Sequence, residues 1–291
     1  MALRPPVAER TTADNRSFGV VNLDKPPGPS SHQVSSWVRD LLGVEKAAHA
    51  GTLDPKVTGC LPVLVGDATR LSQAFLVGEK EYVAALELHD QPPADLESIV
   101  ASFEGPIYQK PPRKSAVTRR LRVREIYELT VLDRDGRTVL LGIQCESGTY
   151  VRKLCHDLGL ALGVGAHMGD LRRTATTPFD DTDLVSPHEL LDAVAYAEEG
   201  DGGPLGEVLQ PAERALVHLP HVVVAESAAR EIANGAPVYA PGVLEADPVD
   251  PAEAPLVACY TPDGSAVCLG TLVGDPDAHE GLVVDLERVL V

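Results

Sequence analysis

Asp54, in the stretch HAGTLDPKVTGCL, has a setting that asks for chemistry. It stands before a proline, between Gly51 and Gly59, with the apolar run LPVLVG directly behind it. The residue preceding a proline is pushed toward extended backbone, so Pro55 stiffens the aspartate's own position. An ionised carboxylate held that firmly can serve as nucleophile or base, although Asp-Pro also opens ordinary turns. Arg152, in GTYVRK, is a matching cation: just inside a helix start, it can keep a carboxylate charged and oriented, where composition alone would make it a plain surface arginine. Tyr82, in KEYV, opens a strand, either as a core ring or as a platform on which a base stacks. Seven basic side chains (Lys110, Arg113, Lys114, Arg119, Arg120, Arg122 and Arg124) fall within fifteen residues that contain no acid. A solvated loop can carry them, but in a chain this poor in cations they suit a phosphate track.

The elements around these residues follow from spacing. Residues 30–43, SSHQVSSWVRDLLG, predict a helix with Val34, Trp37, Val38, Leu41 and Leu42 on one face, a serine cap before it and a glycine after it. LPVLVG predicts a buried strand, so Asp54 falls on a loop between a packed helix and a core strand. YVAALELH predicts another strand, and Leu96, Ile99, Val100 and Phe103 a helix. EIYELTVL and TVLLGIQCE predict a hairpin through the turn DRDGR. Residues 147–163 predict a turn leading into a helix with Val151, Leu154, Cys155, Leu158 and Leu162 inward, and residues 187–200 an amphipathic helix. After the glycines and proline of GDGGP the pattern changes to short strands, HVVVA, VYAPGV, LVACY and AVCLGTLV, with one helix, AESAAREIANG. That pattern predicts a small β-rich barrel of roughly eighty residues, with EADPVDPAEAP as a solvated loop in it.

At 291 residues and 44% hydrophobic composition, the chain is expected to form two domains. They are placed at residues 1–210 and 211–291, with residues 1–17 a tail that is either free or packed on the second. No apolar run has the length of a membrane span, and the first residues lack the apolar core of a signal peptide, so the expected location is cytoplasmic. The five cysteines show no C-x-x-C spacing, which predicts reduced, buried thiols with neither metal nor disulfide.

Charge is unevenly divided. Residues 1–179 hold 22 basic against 21 acidic side chains, net +1, and residues 180–291 hold 3 against 22, net −19. An overall charge of −18 would ordinarily argue against nucleic acid. At molar salt, however, the Debye length falls to about 3 Å, and an acidic, lysine-poor surface then mainly keeps a protein hydrated, as in a halophile. RNA is therefore not excluded.

In order from residue 22 to residue 179, NLDKPPGPSSH, HAGTLDPKVTGCL, ATRLSQ, GEKEYVA, YQKPPRKSAV, CESGTYVRKL and GAHMGDLRRT resemble the motifs of the TruB and dyskerin group of RNA pseudouridine synthases. GEKEYVA departs slightly from the family's spacing. The later IANGAPVYAPGV is similar to the PUA RNA-binding domain of archaeal dyskerin-type enzymes. The resemblance implies an α+β fold, with a mixed, mainly antiparallel catalytic sheet followed by a small β-barrel PUA domain, and isomerisation of uridine to pseudouridine without a cofactor. It implies Asp54 as catalytic aspartate, Arg152 as its partner, Tyr82 as the ring that stacks on the base, and Leu171 as a wall of the uridine pocket. Lys25 and His49 fall at substrate-side motif positions, His49 for positioning. The implied partners are an H/ACA guide RNA, ribosomal RNA, transfer RNA and the small proteins of an H/ACA particle, with no membrane. A stand-alone synthase of the TruB type, acting on the T-loop uridine of tRNA (pseudouridine-55), is the alternative within the family, and a non-catalytic RNA scaffold the alternative of another class.

Overall fold

The computed structural model describes residues 3–111 and 118–291. Nine strands build the larger sheet: β1 (Phe18–Lys25), β2 (Ala47–His49), β3 (Thr58–Gly66), β4 (Lys80–Leu88), β5 (Gly105–Gln109), β6 (Arg122–Asp135), β7 (Thr138–Cys145), β8 (Ala166–Thr176) and β9 (Gln210–Pro211). Their order is β5-β6-β7-β4-β8-β3-β1-β9, with β2 alongside β3. Every neighbouring pair runs antiparallel except β3 and β8, which are parallel and share only Thr58↔Arg172 and Gly59↔Arg173. A narrow seam thus joins two antiparallel halves, and the candidate site residues gather around it.

Helices cover these halves. In α2 (Ser31–Leu42), Ser30 Oγ accepts from Gln33 N at 3.2 Å and Gly43 closes the helix at φ 63°, a left-handed turn that glycine adopts without strain. Val34, Val38 and Leu42 are buried at successive turns, each worth about 1.5–3 kcal/mol of apolar transfer. Trp37, expected inward, is instead 40% exposed and Leu41 half-buried, because a helix on a sheet buries a narrower stripe than the sequence pattern offers. With α5 (Pro187–Glu198) and α6 (Gly203–Val208), α2 covers Val21, Leu23, Leu61, Val63 and Val65. The other half is covered by α3 (Leu96–Ala101) and α4 (Val151–Ala161) over Ala84, Leu86, Leu129 and Leu141. β8 was not anticipated from the sequence: GAHMGDLRRTAT neither alternates nor runs apolar.

The remaining strands are β10 (His221–Val224), β11 (Val238–Tyr239), β12 (Val243–Ala246), β13 (Leu256–Tyr260), β14 (Ala266–Leu272) and β15 (Leu282–Val289). They form a six-stranded sheet, β11-β15-β14-β13-β10-β12, that curls into an almost closed barrel around the apolar residues Val222, Val257 and Val284, with α7 (Glu226–Ile232) adding Ala229 and Ile232 to that cluster. The two sheets share one apolar cluster: Phe18, Val20 and Leu64 pack in it with Leu216, Ala258, Ala266, Leu269 and Leu290. The first residues lie on this junction. Arg10 forms a forked pair with Glu213 at 2.6 and 2.8 Å, Glu213 also accepts from Ala266 N at 3.0 Å, and Arg4 stacks over the Phe18 ring. The tail is therefore packed, with its short helix α1 (Thr12–Ser17) closed by a Thr11–Asp14 capping box. The five cysteines are free and buried, and among the described residues no helix is long and apolar enough to cross a membrane.

Candidate active site

Asp54 lies in the loop between β2 and β3, and every neighbour of its carboxylate is tied down. Ser31 Oγ donates to Leu53 O at 2.9 Å and accepts from Leu53 N at 2.8 Å. Val57 N donates to Asp54 O at 3.0 Å, and Gly28 N to Pro55 O at 2.8 Å. Lys25, fully buried at the end of β1, donates to the carbonyls of Pro26, Pro55 and Val57 at 2.8–2.9 Å. Burial lowers its pKa, and the charge of Asp54 opposes that shift. With its three donors occupied by main chain, Lys25 staples the loop.

His49 is likewise tied to its neighbours. Its Nδ1 meets Ser35 Oγ and its Nε2 meets Thr52 Oγ1, both at 3.1 Å, so neither ring nitrogen faces outward. Its pKa is lowered by burial, then by the nearby His32 and Arg173, which keeps the ring neutral near pH 7 and suits it to two neutral hydrogen bonds. Ser31 and Ser35, one helical turn apart on α2, thus hold both ends of the HAGTLDP loop.

The Asp54 side chain meets Arg152: Nη2 donates to Oδ2, with both side chains more than half exposed. Arg152 lies in the first turn of α4, where the helix dipole disfavours a cation; the carboxylate offsets that. The turn before it is fixed from below. Gln109 Oε1 accepts from Tyr150 N at 2.8 Å and Gln109 Nε2 donates to Tyr150 O at 3.2 Å, with Gln109 itself 1% exposed. An exposed ion pair contributes little stability. What this one does is aim a charged carboxylate outward from a rigid loop.

Across the seam, one row of paired residues runs Lys25↔Gly59↔Arg173↔Tyr82 over β1, β3, β8 and β4. Gly59 has φ +95°, and a Cβ there would stand 2.2 Å from Arg173 O, so no other residue lets β3 approach β8. Tyr82 and Leu171 are half-buried diagonal neighbours on β4 and β8, each packed against the apolar clusters of both sheet halves. Burial raises the Tyr82 phenol pKa, opposed by the charge and hydrogen bond of Arg173. The geometry thus places an anion, its cation, an aromatic ring and an apolar wall on four separate elements around the seam.

The basic track is divided. Lys110, Arg119 and Arg120 are exposed and Arg122 is half-buried at the start of β6. Arg124, expected to contact RNA, instead donates to Glu146 at 2.8 Å and closes the turn that leads to Arg152. Arg113 and Lys114 lie outside the described residues. Sequence reasoning missed Arg173, Gln109, Ser31 and Ser35; only the one-turn spacing of the two serines offered a signal.

Four family models match the chain: a DKCLD (NUC011) domain over residues 6–35, the TruB family pseudouridylate synthase N-terminal domain over 39–95, a tRNA pseudouridylate synthase B C-terminal domain over 152–217, and a PUA domain over 220–289. A protein of Halobacterium salinarum named probable tRNA pseudouridine synthase B is 66% identical over the full length of both chains. One of the same name from Methanopyrus kandleri is 45% identical over 98% of this chain and 86% of its own. Among solved structures, a chain of a Cbf5-Nop10-Gar1 complex matches with TM-score 0.93 at 42% identity, covering 99% of this chain and 90% of that one. A chain of an H/ACA RNP bound to a substrate RNA containing 2'-deoxyuridine matches with TM-score 0.91 at 40% identity, covering 99% and 90%.

Proposed function

The chain belongs to the TruB family of pseudouridine synthases, which isomerise uridine in RNA, and from that premise we propose that Asp54 is the carboxylate that does the chemistry. The observation that carries this is its ion pair with Arg152 at the end of an otherwise immobilised loop. A uridine turned out of its stack lays its ring on Tyr82 and against Leu171. The N1–C1′ bond breaks, the uracil turns while held between those walls, and the C5–C1′ bond forms, with C5 losing a proton and N1 gaining one. Arg152 keeps the Asp54 carboxylate pointed at the sugar side of the ring. Arg119, Arg120, Arg122 and Lys110 meet phosphates on the approach.

We place the enzyme in a guide-RNA particle of the H/ACA kind, with proteins of the Nop10 and Gar1 type as partners and ribosomal RNA as target. The support is that 99% of the chain, barrel included, superposes on chains whose structures were determined in such complexes. In this proposal residues 1–210 form the catalytic unit and residues 211–291 the unit that holds RNA, and the protein works in the cytoplasm, where its buried thiols stay reduced. The names of its relatives favour a second activity on tRNA without a guide. A pseudouridine assay on bare tRNA and on guided ribosomal RNA, with and without the partner proteins, separates the two. Guide-dependent product is expected; product on bare tRNA alone would promote the second activity. Arg152→Met is expected to lower the single-turnover rate about a hundredfold and RNA affinity less than about twofold; equal losses in both would remove Arg152 from this role.

A further inference from the structure

Arg173 is the largest fully buried side chain among the described residues, at 2% exposure. Its Nε donates to Cys60 O at 2.8 Å and its Nη2 to Gly51 O at 3.1 Å and Ala50 O at 3.4 Å. Tyr82 is its cross-strand partner on β4, and the guanidinium's charge acts on the phenol. Its acceptors thus lie on the chain just before Asp54 and the strand just after it, and the residue paired with it is the candidate stacking ring. Gly51 is fitted to the arrangement, for at φ +82° a Cβ there would press on Nη1 at 3.1 Å.

A buried arginine normally faces a carboxylate, because an uncompensated charge in the interior is costly. Among the described residues Arg173 forms no ion pair, and its partners are neutral oxygens. Two other buried cations flank it in the same fashion. Lys25 is bound to three carbonyls, and Lys80, one residue along β4 from the pairing position of Tyr82's neighbour Glu81, donates to Phe75 O at 3.0 Å and Gly78 O at 2.9 Å. A merely structural bolt between β3 and β8 would not need the unpaired charge.

We propose that Arg173 is a positioning residue for the isomerisation: its rigid, planar guanidinium fixes the Tyr82 ring relative to the Asp54 loop, and its uncompensated charge behind the ring favours the electron-rich uracil during its detachment. This rests on the assignment of Asp54 and Tyr82 made above. A guanidinium can hold several acceptors at set angles, which an ammonium cannot. Displacement of either group by as little as an ångström separates the reacting atoms.

Three variants and one spectroscopic contact test it. Arg173→Lys keeps charge and donors without the planar fork, and Arg173→Met removes both. In single-turnover assays on saturating RNA the first is expected to slow the rate about thirtyfold and the second more, with RNA affinity within about twofold of the parent. A folded Arg173→Lys enzyme within about threefold of the parent rate, or one whose affinity falls as far as its rate, overturns the proposal. Asp54→Asn is run beside them: if it retains activity the underlying assignment fails, whereas an inactive Asp54→Asn with an unimpaired Arg173→Lys sinks the Arg173 role alone. Independently of any variant's stability, a 3-fluorotyrosine placed at position 82 should show a fluorine–proton Overhauser contact to the Arg173 guanidinium in the otherwise unaltered protein. Absence of that contact also overturns the proposal.

Discussion

Cations are used in opposite ways at the seam and at the β5–β6 edge. At the seam Lys25, Lys80 and Arg173 are buried and donate to main-chain carbonyls, so positive charge serves as scaffold for loops that have no regular hydrogen bonding of their own. At the edge Arg119 and Arg120 are exposed and Arg122 half-buried, and although Arg119 Nε donates to Pro111 O at 3.1 Å, the exposed ends can exchange water and counterions for phosphate. Sequence alone shows a similar thing in both places: a lysine or arginine among polar residues. The difference lies in whether the chain folds back over the side chain, which makes one cation part of the catalytic geometry and leaves another to recruit RNA.

The contrast can be broken at several points. Asp54→Asn, at the centre of the scaffolded region, should cost at least about a thousandfold in single-turnover rate while RNA affinity, read by filter binding, stays unchanged. Lys25→Met strips three buried carbonyls of their donor and should lower folding stability by about 2–4 kcal/mol, on the order of a hundredfold in the unfolding equilibrium, as measured by urea titration at high salt. Exposed cations should behave otherwise: glutamines at Arg119, Arg120 and Arg122 should leave stability intact, weaken RNA binding about tenfold and flatten its salt dependence. A stability loss there would show that these arginines too are scaffold.

Smaller still is an effect of pH. Burial brings the Lys80 pKa down from 10.5 to about 8. Between those values the unfolded chain binds a proton that the folded chain does not, so stability rises with pH across that window and the rise ends above it. Lys80→Met should abolish that rise while leaving the rest of the pH profile unchanged, as comparison of chemical unfolding at pH 7.5 and 10 would reveal. The smallest expected change is in the acidic loop: amides in place of Glu245, Asp247, Asp250 and Glu253 should alter the salt needed for solubility and leave RNA affinity within about twofold.

Local signals made α2, β3, β4, the β6–β7 hairpin and α4 legible in the sequence, because serine caps, apolar spacing and a DG turn act over a few residues. The motif resemblance brought Asp54 and Arg152 to the same place, and they form an ion pair although 98 residues separate them. What was not legible depends on pairing across the sheet. β8 carries charged and glycine residues because its partners on both sides are already apolar, so it lacks the alternation that marks a strand. Nothing local separates Arg173 from Arg172, yet one fully enters the interior while the other forks to Asp24 at 3.0 and 3.3 Å near solvent. The hydrogen bonds by which Lys25 and His49 tie the Asp54 loop were not legible either, since motif position carries no information about which way a side chain turns.

The apolar cluster that joins Phe18, Val20 and Leu64 to Ala258, Leu269 and Leu290 limits how this architecture can be rearranged. A module that keeps its core to itself can be moved between proteins by recombination, bringing its specificity along. Here the barrel has an interior of its own but also an outer apolar face, and that face packs against the larger sheet. Cutting between them would leave two greasy faces and a buried Arg10–Glu213 pair split in half. Grafting this barrel elsewhere would therefore need a resurfaced underside, and the two sheets should melt as one cooperative body in a scanning calorimeter, however separate their tasks.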